Sequence, residues 1–177
     1  MYVVRDLDFI PLNLTCYQIL YPVLFLGVIG CGGRFTGSNP SYTATELGHH
    51  LKLSQARFVL TTKAQLGTVS KAASLNDIAP SRIIIVDGDE VTERANHTTL
   101  ATLLQIGQTR WRTHKHDDAS SKITAALMST SGTTGLPKMA ARSHHSWIAE
   151  NEAIEDRSTK PYEVRPKLSF LHIFAAC

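Results

Sequence analysis

The sequence predicts an α/β fold in which part of a mostly parallel sheet is flanked by helices. Apolar runs at helical spacing alternate along the chain with short runs rich in Val, Ile and Phe, the pattern of strand-helix-strand units. Arg57-Phe-Val-Leu-Thr61 and Arg82-Ile-Ile-Ile-Val-Asp87 are apolar without alternation, as strands buried on both faces are. Ile123-Thr-Ala-Ala-Leu-Met128 reads as a further strand, and it feeds directly into a segment rich in Ser, Thr and Gly.

Taken from the N-terminus, a first helix is expected from about Tyr17 to Ile29. It stops at Gly30, Gly32 and Gly33, where glycine adopts the left-handed conformation that ends helices. Arg34 to Pro40 is extended and turns. Thr43-Ala-Thr-Glu46 has the form of a capping box, in which the Thr43 hydroxyl accepts from a backbone N–H and Glu46 reaches back. A helix from Thr43 to about Ser54 comes next, with Leu47, His50, Leu51 and Ser54 on one face. The two apolar strands are separated by a helix around Lys63 to Ser74, which makes one right-handed crossover unit. Gly88 to Ser121 is polar and mostly loop, with a short helix from Thr98 to Gln105. After the Ser/Thr/Gly segment, Ser143 is placed to cap a helix from His144 to about Asp156, so the segment is expected to join a strand to a helix. Arg157 to Pro166 is a linker with two prolines.

Composition narrows the class. A chain of 177 residues, 43% hydrophobic and 19% charged, is long enough to bury one core. The net charge of +3 comes from scattered Lys and Arg, with no basic run, so no nucleic-acid partner is expected. Cys16, Cys31 and Cys177 form no C-x-x-C pair, which argues against a disulfide framework or structural zinc and favours an intracellular, by default cytoplasmic, setting. The run from Ile19 to Cys31 falls short of the roughly 20 apolar residues a membrane span needs. Ala175-Ala-Cys177 is not a peroxisomal address.

The chemistry concentrates in Ser129-Thr-Ser-Gly-Thr-Thr-Gly-Leu-Pro-Lys138. A phosphate chain needs positive potential and many donors at close range. Gly132 and Gly135 let backbone N–H groups face a ligand, the hydroxyls of Thr130, Ser131, Thr133 and Thr134 add donors, Lys138 adds a full charge, and Pro137 stiffens the exit. Charge-assisted hydrogen bonds contribute about 1.5–3 kcal/mol each, so several together offset the entropy of ordering such a loop. The spacing is not the Walker form, because Lys138 comes three residues after Gly135 and is followed by Met139. Nor do Gly30, Gly32 and Gly33 fit a dinucleotide fingerprint. Read from residue types alone, a ligand-free surface turn stays open beside the phosphate reading.

Ser129 to Lys138 resemble the ATP phosphate-binding loop of adenylate-forming (AMP-binding) ligases. The resemblance extends further. Tyr21 to Tyr42 looks like that family's helix, glycine turn and Asn-Pro strand, and Thr45 to Arg57 like the next helix in its coumarate-CoA-ligase-like and acyl-CoA-synthetase-like branch. Ser143-His144 matches the Ser-His after the loop, and Leu168 to Phe174 resembles a downstream segment that puts His172 near the acyl pocket. Met139 and Ser169 stand where the family often has Gly and Pro. The resemblance implies ATP/AMP with Mg²⁺, a carboxylic-acid substrate and, in the full-length enzyme, CoA. Thr130, Ser131, Gly132, Thr133, Thr134, Gly135 and Lys138 are then the nucleotide-binding residues, and His172 lies on the acyl side.

The family's adenine-, ribose- and Mg²⁺-binding segments and its catalytic Lys are not found here. The chain therefore reads as a partial adenylation domain, residues 1–177, a middle slice of the large domain. Asp87-Gly-Asp89 resembles the ribose motif only superficially and reads as a turn after a strand. A truncated, non-catalytic product or gene-model fragment, self-associating or binding a partner through an exposed sheet edge, is the competing expectation. A metal site at His114, His116, Asp117 and Asp118 is read instead as a solvated run, and no metal ligands are assigned. His49-His50 and His144-His145 are read as surface and packing residues. For His172, a satisfied core histidine is the alternative.

Overall fold

Local signals set the helix ends in the computed structural model, which describes residues 8–11, 20–87, 97–106, 117–130 and 137–156. Helix α1 (Leu20–Gly30) closes as its glycines predict. Gly32 has φ 83°, its N–H donates to the Ile29 carbonyl at 3.0 Å, and the Gly33 N–H donates to that of Val28 at 2.9 Å. These bonds satisfy carbonyls that a helix end leaves open. The expected start at Tyr17 lies outside the described residues. Helix α2 (Ala44–Ser54) begins with the full capping box: the Glu46 N–H donates to Thr43 Oγ1 at 3.3 Å, and the Thr43 N–H to Glu46 Oε2 at 2.8 Å. It ends at Gln55, which takes the left-handed conformation at φ 55°. Leu47, His50, Leu51 and Ser54 are buried, the face read from the sequence, and Gly48 joins them. A Cβ on Gly48 would lie 3.3 Å from Leu75 Cδ1, tighter than ordinary contact, so the glycine lets α2 approach the turn after the next helix. Asn76 Nδ2 ties that approach by donating to Gly48 O at 3.0 Å and Ala72 O at 2.9 Å.

Strands β1 (Asp8–Pro11), β2 (Arg34–Phe35), β3 (Phe58–Thr61), β4 (Ile83–Ile85), β5 (Thr98–Thr99), β6 (Thr124–Thr130) and β7 (Lys138–Ser143) form one sheet in the order β5-β4-β3-β1-β2-β6-β7. All pairs are parallel except β6 with β7. Between β3 and β4 runs a 3₁₀ turn (Lys63–Gln65) leading into α3 (Leu66–Ser74), and Val59 aligns with Ile83 in parallel register, as the crossover reading requires. Helices α4 (Leu100–Gln105), α5 (Asp117–Lys122) and α6 (His144–Asp156), with a second 3₁₀ turn (Pro80–Arg82) before β4, complete the described elements. The helix expected from Thr98 is two residues shorter, because Thr98 and Thr99 pair with Ile84 and Ile85 and the Thr99 hydroxyl caps α4 by accepting from the Thr102 N–H.

One expectation is corrected. The Ser/Thr/Gly segment does not join a strand to a helix; it joins β6 to an antiparallel partner, β7, and only then does the chain turn into α6. Lys-Met-Ala-Ala-Arg-Ser carries no β-branched or aromatic residue, so its strand comes from ladder pairing with β6 rather than from propensity. The short polar helix α5, read from the sequence as loop, is a second departure.

Successive side chains on a strand point to opposite faces, yet Val59, Leu60 and Thr61 on β3 and Ile83, Ile84 and Ile85 on β4 are all buried. The sheet is therefore covered on both sides there. One core cluster gathers Leu47, Leu51, Val59, Val69, Ala72 and Ile83; another gathers Tyr21, Phe25, Val28, Phe35, Ala126 and Trp147. Among the described residues, no helix is long and apolar enough to cross a membrane.

Candidate phosphate-binding site

The hairpin is built by six facing pairs from Thr124 with Ser143 to Thr130 with Lys138, with an irregularity between Thr124 and Ala126. Thr130 and Lys138, eight residues apart in sequence, are thus brought opposite each other at its mouth, and the Thr130 hydroxyl donates to the Lys138 carbonyl at 3.2 Å. Thr130 and Lys138 are both exposed at this end of the ladder. The Thr130 hydroxyl thus closes the mouth of the hairpin, and the Lys138 ammonium group beside a run of Ser, Thr and Gly makes a positively charged point suited to a phosphate chain. Ser131, Gly132, Thr133, Thr134 and Gly135 lie outside the described residues, as does His172.

The far end of β7 is fastened to α6. Ser143 caps that helix as expected, its Oγ accepting from the Ser146 N–H at 3.1 Å, and the Ser146 hydroxyl donates to the Ser143 carbonyl at 2.9 Å. Arg142 donates through Nη2 to Glu150 Oε2 at 2.5 Å and to the Ser146 carbonyl at 3.3 Å, and its guanidinium lies 5.3 Å from the centre of the Trp147 ring. Trp147 is buried and packs on Phe25 of α1 at 4.9 Å between ring centres. The sequence reading missed this group. A signal was available: the Glu lies eight residues beyond the Arg and three beyond the Trp, on one face of the helix once β7 is known to precede it.

The other side of β7 faces α2 across a cavity of about 410 Å³ lined by Tyr42, Thr45, Glu46, His49, His50, Leu53, Pro137 and Met139. Met139 fills a wall of this space, which gives the residue that stands where the family often has Gly a packing role. His49 and His50 share the cavity, although neighbours on a helix point apart. His50 Nε2 lies 3.3 Å from Thr36 Oγ1, and burial, with a smaller contribution from His49, lowers the His50 pKa from its ordinary 6.5 to about 4. His50 is therefore a neutral packing residue at pH 7, as expected. The Glu46 carboxyl is held below its usual range by the Thr43 backbone and side-chain hydrogen bonds of the capping box.

The remaining candidates are structural or undescribed. Asp87 sits in a turn after β4 and accepts from the Lys63 N–H at 2.7 Å, fixing the start of the 3₁₀ turn before α3; Gly88 and Asp89 lie outside the described residues. His114 and His116 also lie outside them, and among the described residues no group of three His, Cys, Asp or Glu side chains is placed to hold a metal ion. His144 is half-buried and His145 exposed at the start of α6.

The chain matches the AMP-binding enzyme family over residues 18–177. The chain belongs to this family. It is 36% identical over 170 residues to an acyl-CoA ligase, M9, of Phoma sp., an alignment that covers 84% of this chain and 29% of that protein. It is 34% identical over 163 residues to the phenylacetyl-CoA ligase epaB of Aspergillus niger, covering 90% of this chain and 30% of the relative. The chain thus spans 29% and 30% of the length of these curated relatives. Among solved structures, a luciferase-like enzyme from the mealworm Zophobas morio superposes with a TM-score of 0.66 at 21% identity, over 88% of this chain and 34% of that one. That likeness establishes the fold. The α/β class and the adenylate-forming superfamily read from the sequence are both borne out.

Proposed function

We propose that the β6–β7 hairpin restrains the β- and γ-phosphates of Mg-ATP in the ATP-dependent ligation of an acyl or aryl carboxylate to CoA. The supporting observation is the meeting of Thr130 and Lys138 at the hairpin mouth, with Ser131 to Leu136 between them in sequence. In this reaction a carboxylate oxygen attacks the α-phosphorus and a P–O bond forms as the bond to the β-phosphate oxygen breaks. Pyrophosphate leaves, and the CoA thiol then displaces AMP from the acyl carbon. Lys138 contributes charge to the departing pyrophosphate and moves no proton, so its role is electrostatic. Ser131, Thr133 and Thr134 donate from hydroxyls, Thr130 does so by turning its hydroxyl from the Lys138 carbonyl to the ligand, Gly132 and Gly135 donate from backbone N–H groups, and His172 is assigned to the acyl side. The activities of the relatives, acyl-CoA and phenylacetyl-CoA ligation, support the acid-thiol ligase class.

For this chain by itself we assign phosphate binding without turnover, as part of an adenylation domain. The segments that the family resemblance associates with adenine, ribose and the catalytic Lys are not recognised in its sequence. An intracellular setting suits both the unpaired spacing of its cysteines and CoA as a substrate. Strands β5 and β7 end the described sheet, and their backbone edges support self-association. Equilibrium dialysis with ATP, then incubation with ATP, CoA and a panel of aryl and aliphatic acids, tests these assignments. ATP retention without AMP formation is expected. Absence of ATP retention overturns the phosphate reading, and acid-dependent AMP formation overturns the assignment of binding alone.

A further inference from the structure

Strand β7 is the last strand of the described sheet, and among the described residues its ladder partner is β6. A strand at a sheet edge frays more readily than a central one, and here fraying would move Lys138, the charge on which the proposed phosphate site depends. Side-chain contacts beyond the ladder bear on how firmly the strand is held. Arg142 sits four residues from Lys138 on β7, and alternation places both on the same face of the strand with Ala140 between them.

The surroundings of Arg142 form a continuous series of contacts. The guanidinium reaches forward onto α6, donating to the Glu150 carboxylate and the Ser146 carbonyl, and it stacks on Trp147. The Arg142 and Glu150 side chains are 28% and 32% exposed, so the pair is shielded well beyond a surface ion pair without being stranded away from water. Trp147 in turn is packed on Phe25, which is fully buried and touches Phe35 of β2 edge-on at 4.9 Å. A planar guanidinium that bonds a carboxylate and a carbonyl while stacking on an indole fixes orientation in a way a flexible ammonium group does not.

We propose that Arg142 is a positioning residue that locks edge strand β7 to α6 and so holds Lys138 and Thr130 in place at the hairpin mouth. This rests on the phosphate-binding reading of the hairpin. Arg142 does not touch the phosphates; it sets the register and tilt of the strand that carries the charge. Triphosphate affinity therefore depends on it more than monophosphate affinity does, because the hairpin mouth addresses the β- and γ-phosphates.

The test compares Arg142→Met, which keeps an apolar stem over Trp147, and Arg142→Lys, which keeps the charge, with the unaltered chain. Two readouts are needed: amide hydrogen exchange of Thr130 and of Lys138 to Ala141, and calorimetric affinity for ATP and AMP. Arg142→Met is expected to speed exchange at these amides by roughly tenfold while amides of β3 and β4 keep their protection. It is also expected to weaken ATP by about tenfold with AMP affinity unchanged, and Arg142→Lys should recover part of both effects. Unchanged exchange at the hairpin overturns the proposal whether or not ATP binds. Loss of protection throughout the sheet, or equal loss of ATP and AMP affinity, also overturns it by showing a general structural role. If the unaltered chain binds no ATP, the phosphate-binding reading falls, and the exchange data still decide whether Arg142 holds the hairpin.

Discussion

The cluster around Leu47, Leu51, Val59 and Ile83 is closed by neighbours in sequence, whereas the cluster around Phe25, Phe35, Ala126 and Trp147 is closed by side chains from distant segments. In the first, a capping box starts α2, a left-handed Gln55 ends it, and Asn76 ties the turn after α3 back to Gly48. In the second, an aromatic from α1 meets a tryptophan more than a hundred positions later, and that tryptophan carries the Arg142 group that fastens β7. The difference separates scaffold from site. The locally closed side sets the fold, and the side assembled over long range places the hairpin.

Substitution in the two clusters tests that division first, with the largest expected effect. Phe25→Ala removes a fully buried ring and is expected to cost about 3–5 kcal/mol in denaturant unfolding, and Leu51→Ala about 2–5 kcal/mol. At comparable destabilisation, the Phe25 variant should lose more ATP affinity than the Leu51 variant, because its cavity lies beneath Trp147. Equal losses would remove the distinction.

The same division separates the features legible in the sequence from those that were hidden. Thr43 and Glu46 announce α2, Gly32 announces the end of α1, Ser143 announces α6, and the all-isoleucine run Ile83 to Ile85 announces a doubly covered strand. Each signal lies within a few residues of its effect. Strand β7 was hidden because Met139-Ala-Ala-Arg142 has no intrinsic preference for extension and becomes a strand only by pairing with β6. Arg142 was hidden with it, since its relation to Trp147 and Glu150 is visible only once β7 turns directly into α6. Of the candidate site, the phosphate-loop composition was readable as a motif. Its setting in a hairpin, which brings Thr130 and Lys138 together, depends on tertiary pairing and was not.

A pH titration of stability probes the boundary between the two sides, where His50 of α2 bonds Thr36 beyond β2. The folded chain holds His50 neutral with a pKa of about 4, against the ordinary 6.5 of the unfolded chain. Between those values the unfolded state binds more protons, so the stability present above pH 6.5 declines as the pH falls toward 4. The full difference is on the order of 3 kcal/mol. His50→Gln should flatten this dependence in urea unfolding measured at pH 7, 6 and 5; an undiminished slope would assign the acid sensitivity to other groups. A smaller effect is expected at the start of α2, where Thr43→Ala should cost about 1 kcal/mol by thermal unfolding and leave ATP affinity unchanged. A drop in ATP affinity in that variant would place the capping box on the site's side of the division.

The most direct measurement of phosphate binding by the hairpin is phosphorus NMR of ATP titrated with the chain and with Lys138→Met. The unaltered chain is expected to broaden and shift the β- and γ-phosphate resonances, and the variant to leave them close to those of free ATP. Perturbation of the β- and γ-phosphates that persists undiminished in Lys138→Met would contradict the assignment of Lys138 to the phosphate site.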